Sequence, residues 1–476
     1  MQSLLIIFPL IAVILLNLPI GKTAKTAAFY TGLAITLLQM LMSLTAGLMI
    51  WQNISDVLQF DFIVHLSVDF FTIVVLFIIA LIAFVALIVN RCTDETGDDF
   101  NLVNLVLILM MGMNGITMVR DLFSLYVFLE ITGVASFILI AKNKKLTELE
   151  GAFKYLLMSA LASIFMLLSI SLIYMTTGDV GFRAVKEALM NMGGSFPPQI
   201  TIAILFFIAG LSIKAGVVPF HGWLPDAYSA SPSSVSILLA GVVTKVAGVY
   251  ALMRLISDVF VKIPMVEISL LILGTLSIIV GALAAIGQKD FKRMLAYSSI
   301  SQVGYIIIGA AIGTPLGFAG AFLHFFNHAT FKSILFINSA AVESVTGTRD
   351  ISKLGGLASR MPVTGGTSVV AFLSTSGIPP LSGFWSKLLI VVALWQAGYE
   401  VYAIIAVLSS LLTLGYFLIL QRNVFFGKIR EGLENIKEAK PGLVVTSLIL
   451  SAITICVGIL FPFVVVFLQN NGIFLK

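Results

Sequence analysis

Long runs of apolar residues, separated by short polar or Gly/Pro-containing segments, cover the chain almost from end to end. A membrane-spanning helix needs about 20 mostly apolar residues, and windows of this kind recur throughout the sequence. We therefore predict an all-α polytopic membrane protein of about 14 transmembrane helices. The windows lie near residues 3–20, 27–50, 68–90, 101–119, 121–141, 152–176, 200–231, 233–257, 268–287, 294–312, 318–342, 363–396, 402–421 and 444–468.

Two of the windows are too long for one straight helix, and each contains proline. Residues 200–231 include GVVPFHGWLPD with Pro219, and residues 363–396 include GIPPLSGFWSK with Pro379 and Pro380. Proline lacks a backbone donor and clashes with the preceding turn, so these residues predict breaks inside the membrane. Backbone freed at bilayer depth must face protein or a wet cavity, so a binding site or pathway is expected near the breaks.

The two broken spans are the seventh and the twelfth, so they lie five spans apart. Blocks of five spans are odd in number, and consecutive blocks then cross the membrane in opposite directions, as inverted repeats do. The pattern predicts three N-terminal helices in residues 1–100, followed by a first five-helix repeat in 101–257. A second, inverted repeat in 268–421 and a final helix in 444–468 complete the predicted organisation.

Composition leaves little room for anything besides membrane helices. Hydrophobic residues make up 59% of the 476 residues and charged residues 11%, with a mean hydropathy of +1.08. The first 20 residues follow no basic segment and precede no A-x-A site, so we interpret them as the first span rather than a cleaved signal. Cys92 and Cys456 match no metal or redox spacing, and the chain carries no nucleotide motif or G-x-S-x-G motif. We expect no catalytic residues, cofactor, bound metal or nucleic-acid partner in this chain.

The distribution of basic residues predicts the orientation. Connections from odd to even spans carry 17 of the 28 lysines and arginines, whereas the other connections and the last residue carry six. By the positive-inside rule the first group lies in the cytoplasm, so both termini are predicted to lie outside.

The remaining basic residues fall inside predicted spans, and they are Lys154, Lys214, Lys245, Lys332 and Lys387. Of the 23 acidic residues, only Glu130 falls near the centre of a predicted span. An ionisable group at bilayer depth costs about 2.5 to 3.5 kcal/mol, and such groups usually serve transport. These side chains are therefore the first candidates for a functional site.

Glu130 and Lys214 are predicted to form a pair that titrates jointly, because a nearby lysine keeps a buried carboxylate charged. A purely structural salt bridge between helices is the alternative. Lys245 lies about 12 residues from either end of its span, where snorkelling explains it poorly. Lys387 follows the second break, and here snorkelling or binding of unwound carbonyl groups competes with a role in transport.

His324, His328 and Lys332 are spaced at i, i+4 and i+8 and line one helical face. Histidine titrates near neutral pH, so this face suits proton relay, although a structural polar seam is nearly as good an explanation. Three further residues are possible accessories. Lys154 has an i, i+4 partner in Glu150 that explains it without function, while His221 and Asp226 line a cytoplasmic access or cap the half-helix.

Lysines in spans seven, eight, eleven and twelve and a carboxylate in span five thus indicate a polar row across the mid-plane of the membrane. Lysines and histidines pass protons on but repel cations, so the row fits protons better than a bulky solute. The sequence predicts a proton pathway.

Three motifs resemble a known family. They are KAGVVPFHGWLPDAYSASPSSVSILLAGVVTKVAGVY, QKDFKRMLAYSSISQVG and GIPPLSGFWSK, in this order. They resemble the antiporter-like subunits shared by respiratory complex I, membrane-bound hydrogenases and Mrp-type multisubunit Na⁺/H⁺ antiporters. The resemblance covers about residues 100–420 and implies a 14-helix core with two inverted five-helix repeats.

The resemblance also implies roles for individual residues. The proton-path residues of the family fall on Glu130, Lys214, Lys245 and Lys387. One type of complex I subunit has glutamate at the last position, whereas this chain has lysine, as do other complex I subunits and the Mrp D-type. The long lateral helix of the largest complex I subunit has no counterpart after span fourteen. By type, the chain is most similar to the D-like subunit of an Mrp antiporter or its hydrogenase counterpart.

These observations lead to three hypotheses. The first is a proton-translocating subunit of a multisubunit complex in a prokaryotic cell membrane, with other membrane subunits, protons and possible Na⁺ as partners. Any redox chemistry of such a translocase belongs to other subunits. The second is a non-conducting scaffold or assembly subunit, and the third is a stand-alone ion-coupled secondary transporter.

Overall fold

The computed structural model describes residues 3–18, 25–51, 58–61, 65–94, 99–261 and 263–470. The helices of the first half are α1 Leu4–Asn17, α2 Lys25–Trp51, α3 Phe70–Thr93, α4 Asp99–Met118, α5 Leu122–Ile140, α6 Leu146–Thr177, α7 Phe182–Asn191, α8 Pro198–Ala215, α9 Trp223–Ala230, α10 Ser233–Leu238 and α11 Ala251–Asp258. The remaining helices are α12 Pro264–Ile286, α13 Phe291–Ala311, α14 Pro315–Thr346, α15 Pro362–Ser376, α16 Ser382–Gln396, α17 Glu400–Val424 and α18 Pro441–Asn470. Strands β1 Leu58–Asp61 and β2 His65–Val68 form an antiparallel hairpin.

Within the described residues, 11 helices are long and apolar enough to cross a membrane. Their outer faces carry exposed aliphatic side chains such as Leu41, Leu157 and Leu411, which suit contact with lipid. The predicted all-α polytopic membrane architecture is confirmed. The number 14 stays a prediction, because three of the predicted spans are not among these 11 helices: α1, α14, and the span that contains α15 and α16. The inverted repeats and the position of both termini also stay predictions; residues 1 and 476 lie outside the described ranges.

Both predicted helix breaks are present. Helix α8 ends at Ala215, and Pro219 lies in the irregular segment before the short 3₁₀ turn Phe220–Gly222 and α9. Helix α15 ends at Ser376, and Pro379 and Pro380 precede α16. Each helix before a break is terminated by a glycine in the left-handed region, Gly216 with φ 69° and Gly377 with φ 82°. Glycine has no Cβ to oppose that conformation, so the chain can leave the helix sharply.

The chain divides into two compact units. The first contains Met1–Gly216 and Ala230–Val266, and the second contains Val217–Ser229 and Glu267–Lys476.

The first unit is built around the continuous helix Ser233–Asp258, which comprises α10, two π-helical turns and α11. Its apolar window is completely buried, as expected for a helix that is hydrophobic on all sides. The π-helical turns are Leu239–Val243 and Lys245–Tyr250. Gly248 allows close approach of α8, because a Cβ there would lie 2.4 Å from the backbone of Ala215. Lys245, which lies in this helix, is therefore held deep inside the first unit.

In the second unit, α14 is the central helix. It packs against α13, α15, α16 and α18. The 18-residue apolar window of α13 is 94% buried. Polar side chains on the inner faces of these helices are thus shielded from the surroundings.

Two elements lie outside the predicted spans. One is the β1–β2 hairpin, which precedes α3. The other is α7, whose Phe182, Val185 and Leu189 are buried, while Arg183 and Glu187 form an exposed ion pair of 2.9 Å. Apolar residues at this spacing with charges opposite are typical of an amphipathic helix.

The second break depends on close packing of its two half-helices, which gives a testable prediction. A Cβ at Gly383 in α16 would lie 1.9 Å from the carbonyl oxygen of Ser374 in α15. Overpacking of this kind costs roughly 1–3 kcal/mol. We expect Gly383→Ala to lower the thermal unfolding temperature of the protein in detergent, as followed by size-exclusion chromatography after heating.

Gly366→Ala is the matched control, since no neighbouring atom lies within 4 Å of a Cβ at this helical position. Alanine is favoured over glycine in helices by about 1 kcal/mol, so this variant should unfold at the same or a slightly higher temperature. Equal unfolding temperatures for the two variants would contradict the packing argument.

Candidate functional site

Glu130 on α5 and Lys214 on α8 lie together in the first unit. The Nζ atom of Lys214 is 3.2 Å from Oε1 of Glu130 and donates a hydrogen bond of 2.6 Å to Oγ of Ser159. Oγ of Ser163 donates a bond of 2.5 Å to the same carboxylate oxygen. Ser159 and Ser163 are spaced at i, i+4 on α6 and so present both hydroxyl groups on one face. The structure therefore brings together the pair that the sequence predicts.

The two members of this pair differ in exposure. The side chain of Lys214 is 1% exposed and that of Glu130 is 33% exposed. Gly133, one turn after Glu130, leaves space for the ammonium, since a Cβ there would lie 3.4 Å from Nζ of Lys214. The buried ammonium thus depends on a carboxylate that also reaches the surface of this chain.

Lys245 lies within a π-helical turn and is fully buried. Its Nζ atom donates hydrogen bonds to the carbonyl oxygen of Ala240 and, at 3.4 Å, to Oγ1 of Thr244. Both acceptors lie within five residues of Lys245 along the chain, and within the described residues this lysine forms no ion pair with a carboxylate. Snorkelling does not describe this side chain, because its ammonium group is inside the unit.

The predicted face of α14 is buried in the second unit, with His324, His328 and Lys332 all at 0% exposure. Nδ1 of His324 is 2.9 Å from Oγ of Ser386 on α16. The imidazole centroids of the two histidines are 6.5 Å apart. The ring of Phe331 packs against both imidazoles, with centroid distances of 6.1 and 5.4 Å.

Lys332 directs its ammonium group towards α13 and α17. Its Nζ atom donates bonds of 2.7 Å to Oγ of Ser298 and 3.2 Å to the carbonyl oxygen of Leu295. It also lies 5.6 Å from the ring centroid of Phe417. Ser298 in turn is 2.8 Å from the hydroxyl group of Tyr416.

Lys387, on the second half of the broken helix, is likewise buried, at 5% exposure. Its Nζ atom donates a bond of 3.3 Å to Oγ of Ser410 and lies 4.5 Å from the ring centroid of Tyr305. A cation over an aromatic face is stabilised by the ring quadrupole. The snorkelling alternative is therefore not supported by the position of this lysine.

The three accessory residues lie apart from these clusters. Lys154 forms the expected i, i+4 ion pair with Glu150 at 2.6 Å, and the two side chains are 41% and 60% exposed. Asp226 forms an ion pair of 2.6 Å with Arg293 at the start of α13, in the second unit. This contact ties α9 to α13, a role that the sequence pattern did not indicate. His221 lies in the 3₁₀ turn after the first break and is half-buried.

A second charged cluster lies at the C-terminal end of the Ser233–Asp258 helix. Nη2 of Arg254 is 2.5 Å from Oδ1 of Asp69, and Nη2 of Arg120 is 3.7 Å from Oδ2. Asp69 also caps α3 by accepting a bond of 2.8 Å from the backbone N–H of Thr72. Burial alone would raise the pKa of Asp69, but the charges of Arg254 and Arg120 outweigh burial and hold that pKa well below its usual range. The cluster therefore stays ionised and anchors the helix that carries Lys245.

Sequence reasoning missed the neutral polar residues that surround the lysines. They are Ser159 and Ser163 on α6, Ser298, Gln302 and Tyr305 on α13, Ser386 on α16, and Ser410, Thr413 and Tyr416 on α17. A signal was available, since within each helix that contributes several of them these residues recur every three or four positions, which places them on one face.

Comparison with known proteins assigns the chain to a family. Residues 119–413 match the family described as "NADH:quinone oxidoreductase/Mrp antiporter, TM". The N subunit of the NADH-quinone oxidoreductase of Desulforudis audaxviator is 38% identical over 357 residues, covering 74% of this chain and 70% of the relative. The D-type subunit of the Na(+)/H(+) antiporter of Alkalihalophilus pseudofirmus is 35% identical over 355 residues, covering 74% and 71%.

Among solved structures, a chain of the Mrp complex from Dietzia sp. DQ12-45-1b superimposes with a TM-score of 0.89 at 23% identity, covering 99% of this chain and 96% of that chain. This likeness shows that the fold is shared over nearly the full length. The family match covers more than half of the chain, and both relatives exceed 30% identity over more than two thirds of its length. The chain therefore belongs to the NADH:quinone oxidoreductase/Mrp antiporter family of antiporter-like membrane subunits.

Proposed function

We propose that this chain is the proton-translocating subunit of a multisubunit membrane complex. The observation that carries the proposal concerns the four lysines within the predicted spans that are buried, each held by oxygen atoms rather than exposed to the surroundings. They are Lys214, Lys245, Lys332 and Lys387. Ionisable groups inside a membrane protein are expensive to bury and are retained mainly for transport.

The pair Glu130–Lys214 acts as the switch of the first unit. At an effective dielectric constant of 20, two charges 4 Å apart attract each other by about 4 kcal/mol. Separation of the pair removes this stabilisation of the ammonium group, so Lys214 then releases its proton more readily. Protons enter from the cytoplasm near Lys214 or Lys245 and leave to the outside through Lys387, with both termini outside.

The buried face of α14 supplies the intermediate groups in the second unit. His324, His328 and Lys332 are titratable, and the oxygen atoms that hold Lys332 and Lys387 are neutral. Neutral oxygen ligands stabilise an ammonium less than a carboxylate does, which favours proton release. Protons fit this set better than larger cations, because the fixed charges in it are positive.

The partners are other membrane subunits of the same complex. Glu130 is one-third exposed on this chain, and a carboxylate at bilayer depth is better placed against protein than against lipid. The relatives include one component of a redox enzyme and one component of a sodium/proton antiporter. The two kinds of complex can be distinguished by the proteins that co-purify with this chain after mild detergent extraction. A redox module indicates an electron-driven pump, and small hydrophobic subunits alone indicate an Mrp-type exchanger.

The central prediction concerns Lys214. We expect Lys214→Met to abolish most proton movement per complex, because it removes the titratable partner of Glu130 while keeping the length of the side chain. The measurement is dye-monitored proton movement in liposomes that contain the purified complex, driven by a sodium gradient or by the electron donor of the co-purified enzyme.

Lys353→Met is the matched control, because this lysine is 70% exposed in a surface turn; it should keep full activity. Complex abundance is measured alongside. A scaffold role predicts reduced abundance with unchanged movement per complex, and uptake of a solute by the chain alone would favour a secondary transporter. Wild-type movement in Lys214→Met would refute the proposal.

A separate prediction tests whether Asp226 belongs to the access path or to the framework. If Asp226 and Arg293 mainly hold α9 against α13, then Asp226→Asn, Arg293→Gln and the double variant should lose similar thermal stability. Partly exposed ion pairs contribute about 0.2–1 kcal/mol, so the loss in unfolding temperature should be small and non-additive. Additive losses would contradict a joint role of the two residues in holding these helices together. A strong decrease in proton movement for Asp226→Asn alone would instead support a position of Asp226 in the access path.

A further inference from the structure

Two rows of neutral polar side chains meet between α13 and α17 in the second unit. On α13 they are Ser298, Gln302 and Tyr305, and on α17 they are Ser410, Thr413 and Tyr416. The spacings i, i+4, i+7 and i, i+3, i+6 keep each row on one helical face. All except Ser410 are buried.

The two rows together form a polar seam between α13 and α17, and Lys332 lies at one end of this seam. Its ammonium group donates to Ser298 at 2.7 Å, and Ser298 lies 2.8 Å from the hydroxyl group of Tyr416. Thr413 precedes Tyr416 by three residues on α17, and Gln302 follows Ser298 by four on α13, so the seam continues on the same two helical faces. Each hydroxyl group in this sequence can both accept and donate a proton.

The other end of the seam reaches Lys387. Oγ of Ser410 is 3.3 Å from Nζ of Lys387 and 3.0 Å from the hydroxyl group of Tyr305. Tyr305 donates its own proton to the carbonyl oxygen of Ala406 at 2.6 Å, so Tyr305 serves to fix Ser410 rather than to pass a proton.

Between the two ends lies a step of one helical turn. Gln302 and Thr413 are 3.5 Å apart across the seam. Along their helices, Gln302 is three residues from Tyr305, and Thr413 is three residues from Ser410. Three residues of an α-helix correspond to a rise of about 4.5 Å. Oε1 of Gln302 is buried and has no hydrogen-bond partner among the described residues. Buried acceptors are normally satisfied, and a water molecule here would bond Oε1 and bridge the step to Ser410.

We propose that the α13–α17 seam, with one bound water molecule at Gln302, is the route by which a proton passes from Lys332 to Lys387. The inference rests on the proposed function. One proton leaves the ammonium group of Lys332 for Ser298, and Ser298, Tyr416, the water molecule and Ser410 in turn each accept one proton and release another. The neutral amine of Lys387 accepts the last proton, and the hydroxyl groups rotate back before the next transfer.

The histidine face of α14 is the competing route. The imidazole rings of His324 and His328 are 6.5 Å apart between centroids, and the ring of Phe331 packs against both. The described bonds of the Lys332 ammonium instead point to α13. The seam therefore offers a series of hydrogen bonds that starts at the ammonium group of this lysine.

The test is Tyr416→Phe in the purified, reconstituted complex. The substitution removes one hydroxyl group and keeps the ring, so both histidines and all lysines remain in place. We expect proton movement per complex to fall severalfold with unchanged complex abundance. The solvent hydrogen isotope effect on its initial rate should increase, because proton transfer along the seam becomes rate-limiting; a merely structural role would leave this isotope effect unchanged.

Thr413→Val keeps the side-chain shape but removes the hydroxyl group that accepts from Gln302 and donates to the carbonyl oxygen of Ser409. Because Gln302 then no longer holds the water molecule in place, this variant should also slow proton movement, and it serves if Tyr416→Phe lowers abundance. Tyr402→Phe, a hydroxyl deletion on the same helix away from the seam, should match the wild type. Full proton movement with a normal isotope effect in both seam variants would overturn the inference. If Lys214→Met and Lys387→Met still abolish movement in that case, the proposed function stands; if they do not, both fail.

Discussion

The main physical constraint on this structure is the free-energy cost of keeping an ammonium group inside an apolar helix bundle. Transfer of one such ion into a protein interior costs several kcal/mol unless oxygen ligands replace water. Lys214 receives a carboxylate, whereas Lys245, Lys332 and Lys387 receive carbonyl and hydroxyl oxygens in the described residues. Neutral oxygen ligands hold the ammonium groups in place without fixing their protons, which suits the proton transfer proposed for these residues.

Irregular helix geometry provides part of these ligands. Lys214 lies in the last turn of α8, where carbonyl groups lack partners and the helix dipole favours a cation. Lys245 bonds the carbonyl oxygen of Ala240, five residues earlier, within a run of π-helical turns. Such turns change the i→i−4 ladder and often mark functional positions. Breaks and π-turns therefore lie beside the lysines for a shared electrostatic reason.

The fold alone does not assign the activity. Relatives with the same architecture belong to an NADH-quinone oxidoreductase and to a sodium/proton antiporter. Function on a shared fold is decided by the site, and the proposal places that site at the buried lysines and the neutral polar groups around them. The Arg254–Asp69 contact and the Asp226–Arg293 contact instead hold the ends of helices in place.

The sequence by itself determined the membrane architecture, both helix breaks and the buried lysines, because apolar length, proline and the cost of intramembrane charge act locally along the chain. It also pointed to the Glu130–Lys214 pair. It did not determine that Asp226 would bind Arg293, 67 residues away, or that Ser298 and Tyr416 would join Lys332 to a polar seam. Those partners come from distant helices, and only tertiary packing selects which neutral hydroxyl groups meet a buried cation.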